Sequence, residues 1–192
     1  RGMPSMIADR ALLPLASWIW RMREEGVALL ADSLGGFEQL APFGIGLSLK
    51  RGGAGFERDC ADDYAKALVV NGERERAMRF PVVGPHRDDI IITSQSRPAS
   101  SALSRGLRRR TAMALMLAAS ESVRRKLGRE PVLLLDEVAA ELDPAGKEQL
   151  FSTLHARGGQ IFAATAEPIS PTVPCAVYKI SSGKIDKIEE KV

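Results

Sequence analysis

Cysteine is scarce: Cys60 and Cys175 are the only two among 192 residues. They make neither a metal-ligand spacing nor a disulfide framework. That excludes a small zinc module and a stapled secreted scaffold, and it fits a reducing cytoplasm, the expected location. No apolar run is long enough to cross a bilayer. The first residues lack the basic, apolar, small-residue order of a signal peptide. Internal repeats and low-complexity tracts are absent. So is any Gly-x-x-x-x-Gly-Lys-Ser/Thr loop. The glycine-rich stretch Arg51-Gly52-Gly53-Ala54-Gly55 lacks that ending and reads as a turn. No motif for reading base edges is present, so any contact with nucleic acid would be backbone-directed and salt-sensitive. The chain starts at Arg1 rather than Met and is read as a stretch of a longer protein.

What is present is ordinary globular material, 45% hydrophobic and 27% charged, enough for one substantial domain or two small ones. A net charge of +3 permits a nucleic-acid partner without demanding one.

Residues 6–34 read as an amphipathic helix, with Leu12, Leu15, Ile19, Met22, Leu30 and Leu34 at helical spacing and Gly35-Gly36 ending it. Ile45, Leu47 and Leu49 alternate with small or polar residues, the pattern of a half-exposed strand. A second helix is expected over 58–78, with Tyr64, Leu68 and Val69 inward and an interruption possible at Asn71-Gly72. Gly84-Pro85-His86-Arg87-Asp88-Asp89 then leads into a strand, Ile90 to Ile92. Its His and Asp residues invite a metal reading. Their spacing matches no compact ligand set, and a turn laced by Arg–Asp pairs fits better. Residues 94–101 read as a loop.

Ser104 is a good helix N-cap, and the helix it opens runs to about Leu127, with Met113, Leu117, Ser120 and Val123 on one face and Gly128 as its stop. Arg105, Arg108, Arg109 and Arg110 cluster near its start, and Arg124, Arg125 and Lys126 form a second basic group. The apolar run Pro131 to Leu135 ends in Asp136 and Glu137. A run of this kind reads as a strand buried on both faces, and ligands bind outside the carboxyl ends of such strands. An acid there can hold Mg²⁺, directly or through water, and the next acid can polarise a water. The same residues also suit a core strand ending in a solvated turn. Asp143-Pro144 opens another helix, with Leu150, Phe151 and Leu154 inward, closed by Gly158. Ile161 to Ala164 is the next strand, and residues 176–185 form a terminal hairpin.

Leu103-Ser104-Arg105-Gly106 at a helix start, the strand ending in Asp136-Glu137, and Leu142-Asp143 behind it resemble the second half of an ABC-type ATPase. With Gly84 to Asp89 upstream, the chain more closely resembles RecF, a family of bacterial DNA replication and repair ATPases. The resemblance implies an α/β fold: residues 84–192 as the C-terminal lobe of the ATPase head, and 1–83 as part of a helical or mixed arm subdomain. It implies ATP and Mg²⁺ as cofactors, both needing the phosphate loop that lies N-terminal to the arm in this family. Asp136 would support the metal, and Glu137 would orient the attacking water. Ser104, Arg105 and Gly106 would be the signature motif, contacting the γ-phosphate held by a second protomer. Asp143 would sit in the D-loop linking the two sites. Thr165 stands where many ABC ATPases have a histidine, and Leu107 where this family usually has glutamine. The implied activity is ATP-dependent homodimerisation and DNA binding at single-strand/double-strand junctions. It would serve recombination, recombinase loading with RecR and RecO, and the SOS response. The isolated chain would be inactive. The missing phosphate loop leaves a second reading open, a nucleotide-independent DNA- or protein-binding module with an ABC-like fold.

Overall fold

The computed structural model describes residues 5–41, 43–52, 60–137, 142–166 and 173–191. The chain divides into two compact units, Arg1–Asp32 with Ile45–Pro98, and Ser33–Gly44 with Ala99–Val192. Residues 33–44 thus group with the second unit and 84–98 with the first, cutting the chain elsewhere than at 83/84.

The first unit holds α1 (Ser5–Leu34), α2 (Cys60–Met78) and an antiparallel sheet of β1 (Ile45–Lys50), β2 (Asp89–Ser94) and β3 (Arg97–Pro98). β1 and β2 pair from Ile45↔Ser94 to Lys50↔Asp89. The core is Ala16 and Trp20 from α1, Tyr64 and Ala67 from α2, and Val83, with Leu13, Leu49, Leu68 and Val82 against it. Trp20 is fully buried, and the Tyr64 ring meets it edge-on, centroids 5.2 Å apart. The helix α1 therefore buries its Ala16/Trp20 face, while Leu12, Leu15 and Met22, expected inward, are exposed. Likewise α2 buries Tyr64 but leaves Val69 82% exposed. Both helices carry two apolar faces, and periodicity alone does not say which one is covered. Asn71 and Gly72 do not interrupt α2; the Asn71 amide donates to the Ala67 carbonyl, 2.9 Å, within the helix. Residues 94–101 are not a simple loop. Gln95 and Ser96 take positive φ, 49° and 63°, and close a two-residue hairpin into β3, followed by the short α3 (Ala99–Ala102).

The second unit starts with residues 33–44, whose Phe37, Leu40 and Ala41 are buried. It continues with α4 (Arg105–Leu127), β4 (Leu133–Leu135), α5 (Pro144–Arg157), β5 (Ile161–Ala163) and a hairpin of β6 (Cys175–Ser181) and β7 (Lys184–Lys191). Gly128 ends α4 at φ 62°, the left-handed conformation that glycine adopts without strain. The buried face of α4 is Thr111, Ala114, Leu117, Ala118 and Ser120. Val123, expected on that face, is exposed, as is Leu127. Arg157, its side chain 5% exposed, bonds Glu130 at 2.8 Å and the Ser120 hydroxyl at 2.9 Å, so α5, α4 and the approach to β4 are braced together. β4 and β5 pair in parallel, Leu133↔Ile161 to Leu135↔Ala163. The helix α5 joins them in a βαβ unit, and the class is α/β. Leu133 and Leu135 are buried but Leu134 is 75% exposed, so β4 is not buried on both faces as expected. The reason is physical. Among the described residues this sheet has two strands, and elements of the unit cover one face only.

Candidate functional site

Ser104 is the N-cap of α4, with extended backbone, φ −62° and ψ 165°. Its oxygen accepts from the Leu107 N–H at 3.4 Å and its carbonyl from the Arg108 N–H at 2.9 Å. The hydroxyl keeps its own hydrogen to donate. Arg105 and Gly106 follow, both exposed. A side chain built on Gly106 would meet nothing within 4 Å. Packing does not demand glycine there, and the open space leaves the helix start approachable from outside. A helix N-terminus with a hydroxyl cap suits an anion.

Asp136 and Glu137 leave β4 at its carboxyl end, both exposed. Glu137 has φ 49°, an uncommon conformation for a side-chain-bearing residue. The register continues past the strands: the Ala164 N–H donates to the Leu135 carbonyl, 2.8 Å. Thr165 follows that bond on the neighbouring strand, as Asp136 and Glu137 follow Leu135 on β4. Asp136, Glu137 and Thr165 share the carboxyl end of the parallel pair, where α/β sheets bind ligands. Among the described residues no partner engages either carboxylate. No group of three or more metal-ligating side chains occurs among them. A lone exposed carboxylate still suits Mg²⁺, which takes one or two carboxylates and fills its shell from water and phosphate oxygens.

The two clusters are apart in this chain. Ala112, Met113 and Met116 of α4 line a shallow depression with Leu134, Leu135 and Asp136. Ser104 lies eight residues before Ala112, about 12 Å further along the helix axis. Asp143 is at a third place, as N-cap of α5. Its carboxylate accepts from the Gly146 N–H at 2.9 Å, and Pro144 occupies the first turn. Residues 138–141, between Glu137 and Leu142, lie outside the described residues.

The basic groups sort themselves. Arg124 and Arg125 pair with Glu121 at 2.6 and 3.0 Å, so the second group is not an open cationic patch. The hydrogen bond from Arg124 holds the Glu121 carboxyl at about 2, well below its ordinary 4.5. Arg108 reaches the Ser100 carbonyl, 3.4 Å. Arg110 turns inward to the Gln39 carbonyl, 2.9 Å, and to the Gln149 side chain, so it does not belong to an outward positive surface with its neighbours. Sequence reasoning grouped it with Arg105, Arg108 and Arg109. The signal it lacked was Gln39, 71 positions away.

Gly84 to Asp89 forms a structural hub in the first unit. Asp88, its side chain 4% exposed, accepts from Trp20 Nε1 at 2.9 Å and the Gly52 N–H at 2.7 Å, and it pairs with Arg23. The Arg–Asp lacing is real, but its arginine comes from α1, not from Arg87. Gly84 takes φ 137°, and its N–H donates to the Gly52 carbonyl at 2.9 Å. A side chain on Gly52 would collide with Arg87 and the Gly84 carbonyl at 2.3 and 2.5 Å.

No protein-family model matches the chain. Curated relatives do. The chain is 34% identical over 183 residues to the DNA replication and repair protein RecF of Klebsiella pneumoniae, covering 92% of this chain and 50% of that protein. It is 33% identical over 185 residues to RecF of Yersinia pestis bv. Antiqua, with 93% and 50% covered. To RecF of an Anaeromyxobacter species it is 35% identical over 136 residues, with 69% and 37% covered. Two solved structures, described as the recombination mediator protein RecF-ATPrS and RecF-ATP in the RecFOR pathway, share the fold. Their TM-scores are 0.75 and 0.74, at 23% and 24% identity, over 98% of this chain and 52% of theirs. The chain thus spans about half the length of the curated relatives it matches in sequence along nearly all of its own, and it belongs to the RecF family of DNA replication and repair proteins.

Proposed function

We propose that this chain supplies the C-terminal part of a RecF-like ATPase that dimerises around ATP on DNA. In that reading the unit of residues 33–44 and 99–192 belongs to the head and that of 1–32 and 45–98 to the arm, which moves the expected 83/84 boundary. Mg²⁺, when bound with ATP, neutralises phosphate charge. Asp136 contributes a carboxylate toward the metal, and Glu137 accepts a hydrogen bond from the attacking water and orients it. Ser104, Arg105 and Gly106 contact the γ-phosphate on a second protomer, Asp143 belongs to the loop joining the two sites, and Thr165 lies beside the phosphate end. DNA contact at single-strand/double-strand junctions, partnership with RecR and RecO, recombinase loading, recombination, the SOS response and a cytoplasmic setting follow from the family. No helix among the described residues is long and apolar enough to cross a membrane.

The observation that carries this reading is the separation of the two clusters. Asp136, Glu137 and Thr165 stand together at a sheet end, while Ser104 opens a helix about 12 Å beyond the residues that meet Asp136. One nucleotide held at the sheet end leaves the helix start free for a different nucleotide. The test is Glu137→Gln in the longer protein that carries both halves of the RecF length. The amide keeps the size but is a poor proton acceptor. ATP binding should be kept, hydrolysis should fall by about 100-fold or more, and ATP-driven dimers should persist in sedimentation. A variant that hydrolyses like its parent removes Glu137 from catalysis. A longer protein that binds DNA equally with and without ATP is instead a nucleotide-independent module.

A further inference from the structure

We propose that Arg110 is a positioning residue that locks the Asp143 end of α5 to the signature helix α4. The inference rests on the dimeric ATPase reading above and adds to it the link between two of its motifs within one protomer.

One amino group, Arg110 Nη2, donates to the Gln39 carbonyl at 2.9 Å and to Gln149 Oε1. It therefore joins the segment 33–44, α4 and α5. The stem of the side chain lies against the start of α5. A Cβ built on Gly146 would be 3.6 Å from Arg110 Cδ and 2.7 Å from Asp143 Oδ1. Gly146 is buried, and its N–H makes the 2.9 Å cap bond to Asp143. Arg110 thus packs against the residue that fixes the Asp143 carboxylate. It stands six residues after Ser104, about 9 Å along the axis of the same helix.

Stability does not explain an arginine here. Both acceptors are neutral, no described carboxylate pairs with it, and Nε is buried without a partner. A half-buried guanidinium with no counter-charge and a buried, unpartnered Nε costs free energy that an apolar side chain of similar length would not. What the guanidinium adds is geometry: one planar amino group whose two N–H bonds set two elements at a fixed distance from a third. A shift of α4 when Ser104 takes up a phosphate would then be passed to Asp143.

The experiment uses the longer protein and compares the parent with Arg110→Leu, Arg110→Lys and Gln149→Leu. Leucine keeps the packing on Gly146 and loses both hydrogen bonds. The expected result for Arg110→Leu is an unchanged or raised thermal midpoint and unchanged ATP affinity of the monomer. Its kcat should fall, by up to about 100-fold for a misplacement near 1 Å, with KM unchanged. Lysine restores charge and one bond, so Arg110→Lys should recover part of kcat. Gln149→Leu should lower kcat, and combining it with Arg110→Leu should cost nothing further. Arg110→Leu with the parent's kcat and dimerisation overturns the positioning role while leaving the ATPase reading intact. A fall in kcat that merely tracks a lower thermal midpoint also overturns it. A parent that neither dimerises on ATP nor hydrolyses it overturns the ATPase reading, and the positioning role with it.

Discussion

Asp88 does most for the first unit for its size. Three donors converge on one nearly buried carboxylate, from α1, from the end of β1 and from the Arg23 guanidinium. An acceptor that satisfies a buried indole N–H and a backbone N–H is costly to replace. Asp88→Asn should keep the shape, remove the ion pair and leave one donor facing an amide N–H₂. The expected loss is about 1–3 kcal/mol, read as a lower urea midpoint of the purified chain with an unchanged slope. An unchanged midpoint would demote Asp88 from hub to surface turn. The same scale explains what was and was not legible. Gly84 to Asp89 announced a turn with Arg–Asp pairing, yet Arg87 was the near arginine, and the partner is Arg23, 65 positions away.

Among the elements, α4 has the clearest charge signature. Near its C-terminal end Glu121 holds Arg124 and Arg125, three and four residues on, a spacing at which helix side chains meet. The folded carboxyl titrates at about 2 against an ordinary 4.5, so the folded state binds its proton less readily than the unfolded chain does. The pair's stabilisation is therefore complete above pH 4.5 and is lost as pH falls from there toward 2. Both arginines are largely exposed, so the contribution is no more than about 1 kcal/mol. Glu121→Gln should lower stability at pH 7 by no more than about 1 kcal/mol, leave it unchanged near pH 2, and so flatten the acid limb of the stability curve between pH 4.5 and 2. An identical acid limb would show that the pair adds nothing. Helix ends were the most legible features of this scale, because caps act within three or four residues: Ser104 on Leu107, Asp143 on Gly146, Gly128 on Arg124. The β3 hairpin was not legible. Its turn uses Gln95 and Ser96 at positive φ, with no Asn-Gly or Asp-Gly to signal it.

For the whole molecule the expectation concerns two copies. If Ser104 acts on nucleotide bound by another protomer, Ser104→Arg in the longer protein should leave monomer ATP affinity unchanged. It should abolish ATP-driven dimerisation and hydrolysis together, because the bulky cation fills the space that stands open in front of the helix start. A phosphate-loop variant of the same protein should fail for the complementary reason. Mixing the two should restore one competent composite site and partial phosphate release. Loss of ATP binding by the Ser104→Arg monomer alone would put the motif in cis and end the composite-site reading.

The sequence by itself determined the family, the α/β class, the helix caps and the order of motifs from Ser104 to Thr165. All of these are written in residues a few positions apart. The tertiary structure decided which apolar face of α1 and α2 is covered, that Leu134 stands open, that Arg110 turns inward, and that Asp88 answers Trp20 and Arg23. The physical reason is range. A cap or a strand end is set by its neighbours in the chain. A buried face or a charge partner is chosen by whatever folding brings against it, and here those choices join residues 68 and 71 positions apart.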